Sequence, residues 1–196
     1  MSGASLRIAL ETRPLERVAA KLALAGVFED ERPLRGAAGR ADWRLCGLLT
    51  ELLLNGSMTG RAGEATLVGS SGRLASDALL VVGLGTQRAF GDAAYEQAIR
   101  TAFERVAGLG VSSVVLGGIG RDPEQLVGHA RGFIDGALAG LGDRSAAVLL
   151  CVVEAEAGRL HRELVRCGRS AAIHVEPIGS IPAASRGALA TRAAGR

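Results

Sequence analysis

Three glycine-rich runs carry most of the chemistry this chain offers: Arg35-Gly36-Ala37-Ala38-Gly39, Gly83-Leu84-Gly85-Thr86 and Gly117-Gly118-Ile119-Gly120-Arg121. Amides exposed at turns that lead into a helix, helped by the helix dipole, can hold a phosphate. None of the runs has the Gly-Lys-Ser/Thr of a P-loop, and none gives GxGxxG in register, so no nucleotide motif is specified. The third run leads into Asp122 and Glu124, whose carboxylates would take up free amides and repel an anion. A structural turn is the favoured reading there.

Charged residues crowd the first run: Glu29, Asp30, Glu31, Arg32, Arg35, Arg40, Asp42 and Arg44. Interleaved carboxylates and guanidiniums can neutralise one another and fix a long loop, or they can form a polar ligand rim. The first alternative is favoured, with Asp42 placed to cap the helix that contains Trp43. His129, His161 and His174 fall on different elements with no partner at metal-ligand spacing. Ser70-Ser71 and Ser112-Ser113 lack a GxSxG setting. Cys46, Cys151 and Cys167 lie far apart in apolar contexts, match no zinc spacing, and read as buried thiols in a reducing compartment.

Alternating strands and helices must position these residues. Period-two alternation over Ser5 to Glu11 predicts a half-buried strand, and the apolar run Lys21 to Phe28 a central strand buried on both faces. Trp43, Cys46, Leu49 and Leu53 predict one face of a single helix ending at Asn55-Gly56. Strands follow at Glu64 to Ser70 and Asp77 to Leu84, then a helix over Gly91 to Gly108 capped by Asp92, and a strand at Val111 to Leu116. Asp122-Pro123-Glu124 opens a helix whose buried face is Leu126, Ala130, Phe133, Ile134, Ala137 and Leu141. Ala146 to Val153 is a strand, Ala155 to Cys167 a helix, and Ala171 to Ile178 a last strand. This alternation points to an α/β fold with helices on both faces of a mixed, mainly parallel sheet of six to seven strands. Residues 1–180 are expected to form one domain, and 181–196 a small basic tail.

The 196 residues are 48% hydrophobic, enough for an ordinary core, while aromatics are only 3%, so Leu, Val, Ala and Ile must fill it. A net charge of +3, evenly spread along the chain, argues little for nucleic acid. No apolar run approaches the ~20 residues of a membrane helix. The N-terminus lacks the pattern of a signal peptide, so cytoplasmic residence is expected.

The words FEDERPLRGAAGRADWRLCGLLTELL, Gly60-Arg61-Ala62-Gly63-Glu64, Gly72-Arg73-Leu74 and VVGLG resemble the N-terminal domain of the leucyl aminopeptidase (cytosol aminopeptidase) family. The resemblance runs from about Leu6 to Ile178 and implies a three-layer α/β/α, macrodomain-like fold. In that family the catalytic chemistry belongs to a C-terminal two-metal domain with the signature NTDAEGRL, which this chain is expected to lack. Glu154 to Leu160, EAEAGRL, echoes that signature with shifted spacing and reads as a strand end entering a helix.

The resemblance implies a non-catalytic module without a cofactor, acting through a protein partner or self-association, with DNA contact as in some members. The alternative it implies is ADP-ribose or a related nucleotide phosphate. The ligand rim would then be Asp30, Arg35, Gly36, Gly39, Gly83, Gly85, Gly117, Gly118, Gly120 and Arg121. Part of a metallo-aminopeptidase system ranks behind both.

Overall fold

Strand β1 (Ser5–Glu11) buries Leu6 and Ile8 and leaves Ser5 and Arg7 exposed, as its alternation dictates. The computed structural model describes residues 5–120, 125–168 and 172–177. In β2 (Leu22–Val27), Leu22 and Leu24 enter one apolar layer, and Ala23, Ala25 and Val27 the other. β3 (Ala65–Gly69), β4 (Ala78–Gly83), β5 (Ser113–Leu116), β6 (Ser145–Cys151) and β7 (Ile173–Val175) complete the sheet. The strand order is β3-β4-β2-β5-β6-β1-β7. All pairs are parallel except β3 with β4.

Helices cover both faces, because a parallel sheet exposes apolar side chains on each. One layer holds α3 (Asp92–Gly108), the short α4 (Gln125–Gly128), α5 (Ala130–Leu141) and α6 (Glu154–Cys167). The other holds a 3-10 turn at Leu15–Arg17, α1 (Gly36–Arg44) and α2 (Leu48–Leu54). The α/β/α sandwich is therefore as expected. Within the first layer α5 lies almost on the backbone of α3: a Cβ on Gly136 would come within 2.6 Å of the Glu96 carbonyl, and one on Gly140 within 2.5 Å of that of Arg100. Ala130, Phe133, Ile134, Ala137 and Leu141 are buried as their periodicity indicates. The helix is interrupted at His129, and its expected opening at Asp122 lies outside the described residues.

The single helix expected through Trp43, Cys46, Leu49 and Leu53 is in fact two. Cys46 and Gly47 both take left-handed backbone, with φ of 60° and 84°, which ends α1. Trp43 and Cys46 face solvent rather than the core, so Cys46 is not a buried thiol. Cys151 and Cys167 are half-buried rather than buried; desolvation pushes the Cys151 thiol up to about 12, with Glu11 adding to the shift. Asp42 does not cap its own helix. It reaches across the break to accept the amides of Leu49 (2.8 Å) and Thr50 (3.1 Å) and the Thr50 hydroxyl, capping α2. Nor does Asp92 cap α3: Gly91 holds the cap position, and the Asp92 carboxylate faces His129 Nδ1 at 3.1 Å. His129 also stacks on the buried Tyr95 ring at 4.5 Å, so it is a satisfied packing residue.

The loop before β3 is folded around Glu64. Its carboxylate accepts the amides of Thr59 and Gly60 and the Thr59 hydroxyl. Burial works to raise this carboxyl, yet hydrogen bonds from Thr59, Gly60 and Arg61 together hold it below its ordinary 4.5.

Asp42→Ala should cost about 1 kcal/mol, the usual loss of a helix cap, read as a lower urea midpoint with unchanged slope. Glu64 sets a pH dependence of definite sign. With the folded carboxyl below its unfolded value, the unfolded state binds more protons. The contribution of Glu64 is therefore complete above pH 4.5 and is lost as pH falls through the lowered folded value. Glu64→Gln should lower stability near neutrality and flatten the acid limb of the midpoint-against-pH curve; an unchanged acid limb would contradict this.

Candidate functional site

The described residues of the expected rim lie at the carboxyl ends of parallel strands, where loops lead into helices and where sheets of this kind collect ligands. The structure sorts them into two groups. In the first, Gly85 accepts the Glu29 amide at 2.9 Å and donates to the Gly60 carbonyl, also at 2.9 Å. Asp30 Oδ1 accepts the Gln87 amide at 3.0 Å. Gly83 is pressed against the Glu64-centred loop, where a Cβ would fall 2.0 Å from the Arg61 carbonyl oxygen. This second glycine run is thus consumed by packing one loop on another.

In the second group the run Arg35 to Gly39 meets Gly117 through Ala37. The first glycine run is no loop: Arg35 is the residue before α1, and Gly36 begins the helix at a φ of 57°. A Cβ on Gly39 would sit 2.5 Å from the Leu34 carbonyl oxygen, so glycine there lets the chain fold back as it enters the helix. A Cβ on Gly117 would sit 2.5 Å from the Ala37 Cβ and 3.1 Å from Leu15. The gap between the first and third runs is therefore filled by the chain itself at that point. Gly118 is exposed with open space around it, and Gly120 is half-buried with positive φ. Arg121, with Asp122 and Glu124, lies outside the described residues.

The charges of the first run do not neutralise one another as expected. Glu29 pairs with Arg61 at 3.5 Å and Arg40 with Glu16 at 3.3 Å, while Arg44 Nε donates to the Arg73 carbonyl at 3.2 Å. Each reaches to a different segment, so the set fastens this layer together. Arg32 alone stays local, donating to the carbonyls of Phe28 and Glu31.

Beside this second group opens a cleft of about 540 Å³. One wall is α1, through Gly39, Arg40, Trp43 and Arg44. The other is the 3-10 turn, through Glu16 and Arg17, with Leu34, Arg35 and Gly36 at the end. Trp43 stands at its edge with 77% of its surface exposed. Glu16 and Arg17 were not legible as site residues: they precede Arg35 by nearly twenty positions, and no spacing motif links them. The helical interval of Trp43 from Cys46 and Leu49 puts the three on one face of a single helix, but the helix breaks between Trp43 and Leu49. Among the described residues no three His, Cys, Asp or Glu side chains converge as metal ligands, and no helix is long and apolar enough to cross a membrane.

Comparison with known proteins places this geometry. A probable cytosol aminopeptidase of Nitrosospira multiformis is 32% identical over 93 residues, which is 47% of this chain and 18% of that protein. One from Paraburkholderia phytofirmans is 37% identical over 89 residues, 45% of this chain and 17% of that protein. The matched stretch is thus less than a fifth of the length of either relative. Among solved structures, a tomato leucine aminopeptidase mutant superposes with a TM-score of 0.63 at 14% identity, covering 85% of this chain and 36% of that one. The Oceanobacillus iheyensis macrodomain with ADP gives 0.61 at 14% identity, covering 80% of this chain and 89% of that one. At such identities the superpositions establish the macrodomain-like fold. The family follows from sequence: residues 25–144 match the cytosol aminopeptidase family, N-terminal domain, and the chain belongs to that family.

Proposed function

We propose that this macrodomain-like module is non-catalytic and works by association, with copies of itself or with a separate aminopeptidase catalytic chain. The observation that carries this reading is how the carboxyl-end glycines are used. Gly83 is filled by the Arg61 carbonyl, and Gly117 by Ala37 and Leu15, while Trp43 and Leu54 are left 77% and 81% exposed on the α1 and α2 layer. Backbone that a nucleotide would need is spent on packing, and apolar surface that water disfavours is offered outward.

A second reading is a nucleotide phosphate of the ADP-ribose type, held by Asp30, Arg35, Gly36, Gly39, Gly83, Gly85, Gly117, Gly118, Gly120 and Arg121. What favours it is the likeness to macrodomains described with ADP and with ADPR. A nucleic-acid contact rests on family resemblance alone.

Sedimentation velocity across micromolar to near-millimolar protein should show a mass that rises with concentration and that Trp43→Glu returns to monomer. ADP-ribose at millimolar concentration should give no calorimetric heat. Monomer throughout, without co-sedimentation with a metal-loaded cytosol aminopeptidase catalytic domain, would overturn the association reading. Saturable ADP-ribose heat abolished by Gly118→Glu, a change with open space around it, would establish the second reading instead.

A further inference from the structure

The cleft between the 3-10 turn and α1 has a charge and a shape that no packing duty explains. Four arginines line it, Arg17, Arg35, Arg40 and Arg44, against a single carboxylate, Glu16. Glu16 is committed to Arg40 at 3.3 Å. Arg44 is oriented by the Arg73 carbonyl, which fixes it without neutralising it. The guanidiniums of Arg17 and Arg35, both exposed, have no hydrogen bond or ion pair among the described residues. Like charges gathered in a concave site repel one another and focus a positive potential, and an anionic partner relieves both.

Trp43 supplies the other half. Of the six aromatic rings in the chain it is the one left exposed, and it stands at the rim of this positive cleft. Tryptophan and arginine together are the side chains most enriched where binding energy concentrates. Resting on the reading of the chain as an association module, we propose that this cleft binds an extended acidic segment of a partner polypeptide, with an apolar side chain laid on Trp43 and carboxylates on Arg17 and Arg35.

The spacing of the cations favours a polypeptide over a nucleotide. Arg35 stands just before α1 and Arg40 and Arg44 lie within it, so the three are spread over roughly the 12 Å length of that helix, at ~1.5 Å per residue. An extended peptide covers that distance in about four residues at ~3.4 Å each, presenting carboxylates at intervals, and each guanidinium fork matches a carboxylate. A mononucleotide would crowd its charge into one spot. The chain's own C-terminal stretch is unsuited as occupant: residues 181–196 carry Arg186, Arg192 and Arg196 and no acidic residue.

Trp43 is the only tryptophan, so intrinsic fluorescence reports directly on this cleft. Titration with an octapeptide of glutamates containing one leucine should shift the emission to the blue, saturably, with affinity falling as salt rises. Arg17→Glu and Arg35→Glu should each weaken binding about tenfold or more, as loss and reversal of a facing charge would, whereas Arg131→Glu on α5, outside the cleft, should not. No saturable response would overturn the cleft proposal, as would unchanged binding in both cleft variants. An equal response to AMP or to an oligothymidylate would overturn the polypeptide assignment. The two readings fail separately. Self-association that persists without peptide binding removes only this proposal; peptide binding by a protein that stays monomeric removes self-association and leaves the cleft.

Discussion

Close approach of backbone at the carboxyl end of the sheet is the constraint on which the rest of this structure depends. Gly83 lets the loop around Glu64 lie on the end of β4, and Gly117 lets Ala37 and Leu15 close over the end of β5. A side chain would push the covering segment away by about an ångström at Gly83 and about half an ångström at Gly117, since real Cβ contacts do not fall below about 3 Å. The same device recurs in the opposite layer, where Gly136 and Gly140 bring α5 onto the backbone of α3. With few aromatic residues to fill gaps, the chain reaches interior density by bringing backbone closer instead. Abundant glycine and scarce aromatics are therefore two sides of one packing solution.

Most of the architecture was legible because it rests on periodicity. The alternation of Leu6 and Ile8, the two-sided burial of Leu22 to Val27, and the buried face from Ala130 to Leu141 each found their expected place. Misreadings came where local backbone geometry overruled a helical period. Trp43, Cys46, Leu49 and Leu53 keep helical spacing across a break, because a left-handed pair at Cys46 and Gly47 resets the helix direction between them. Nothing in a hydrophobic pattern announces that reset. Asp42 followed the same logic, since a capping carboxylate was visible but the helix it caps begins only at Leu48.

The site was less legible than the fold, for an electrostatic reason. Along the sequence, positive and negative residues alternate near the first glycine run and suggest mutual neutralisation. In three dimensions the carboxylates leave: Glu29 goes to Arg61, Asp42 turns to the amides of α2, and Asp30 takes the Gln87 amide. Arg35, Arg40 and Arg44 line the cleft and are joined by Arg17 from a turn far upstream. A modest overall charge of +3 thus conceals a local surplus, because charge averaged over sequence says little about charge gathered on one surface.

The two helical layers divide their labour unequally. The layer of α3, α5 and α6 is sealed by glycine-mediated contact and holds Tyr95, Phe103 and Phe133 fully buried. The layer of α1 and α2 is thin, broken at Cys46 and Gly47, and fastened mainly by polar links such as Asp42 to Thr50 and Arg44 to the Arg73 carbonyl. Polar fastening of this kind contributes little net stability per bond, about 0.5–1.5 kcal/mol, but it fixes side-chain direction. Arg40 and Arg44 are held in place while Trp43, between them, is left standing in solvent. Apolar area held exposed on a short, well-oriented helix costs free energy in the isolated chain, and burial against a partner recovers it. The thin layer is thus where association has most to gain, and the sealed layer is what keeps that surface in shape.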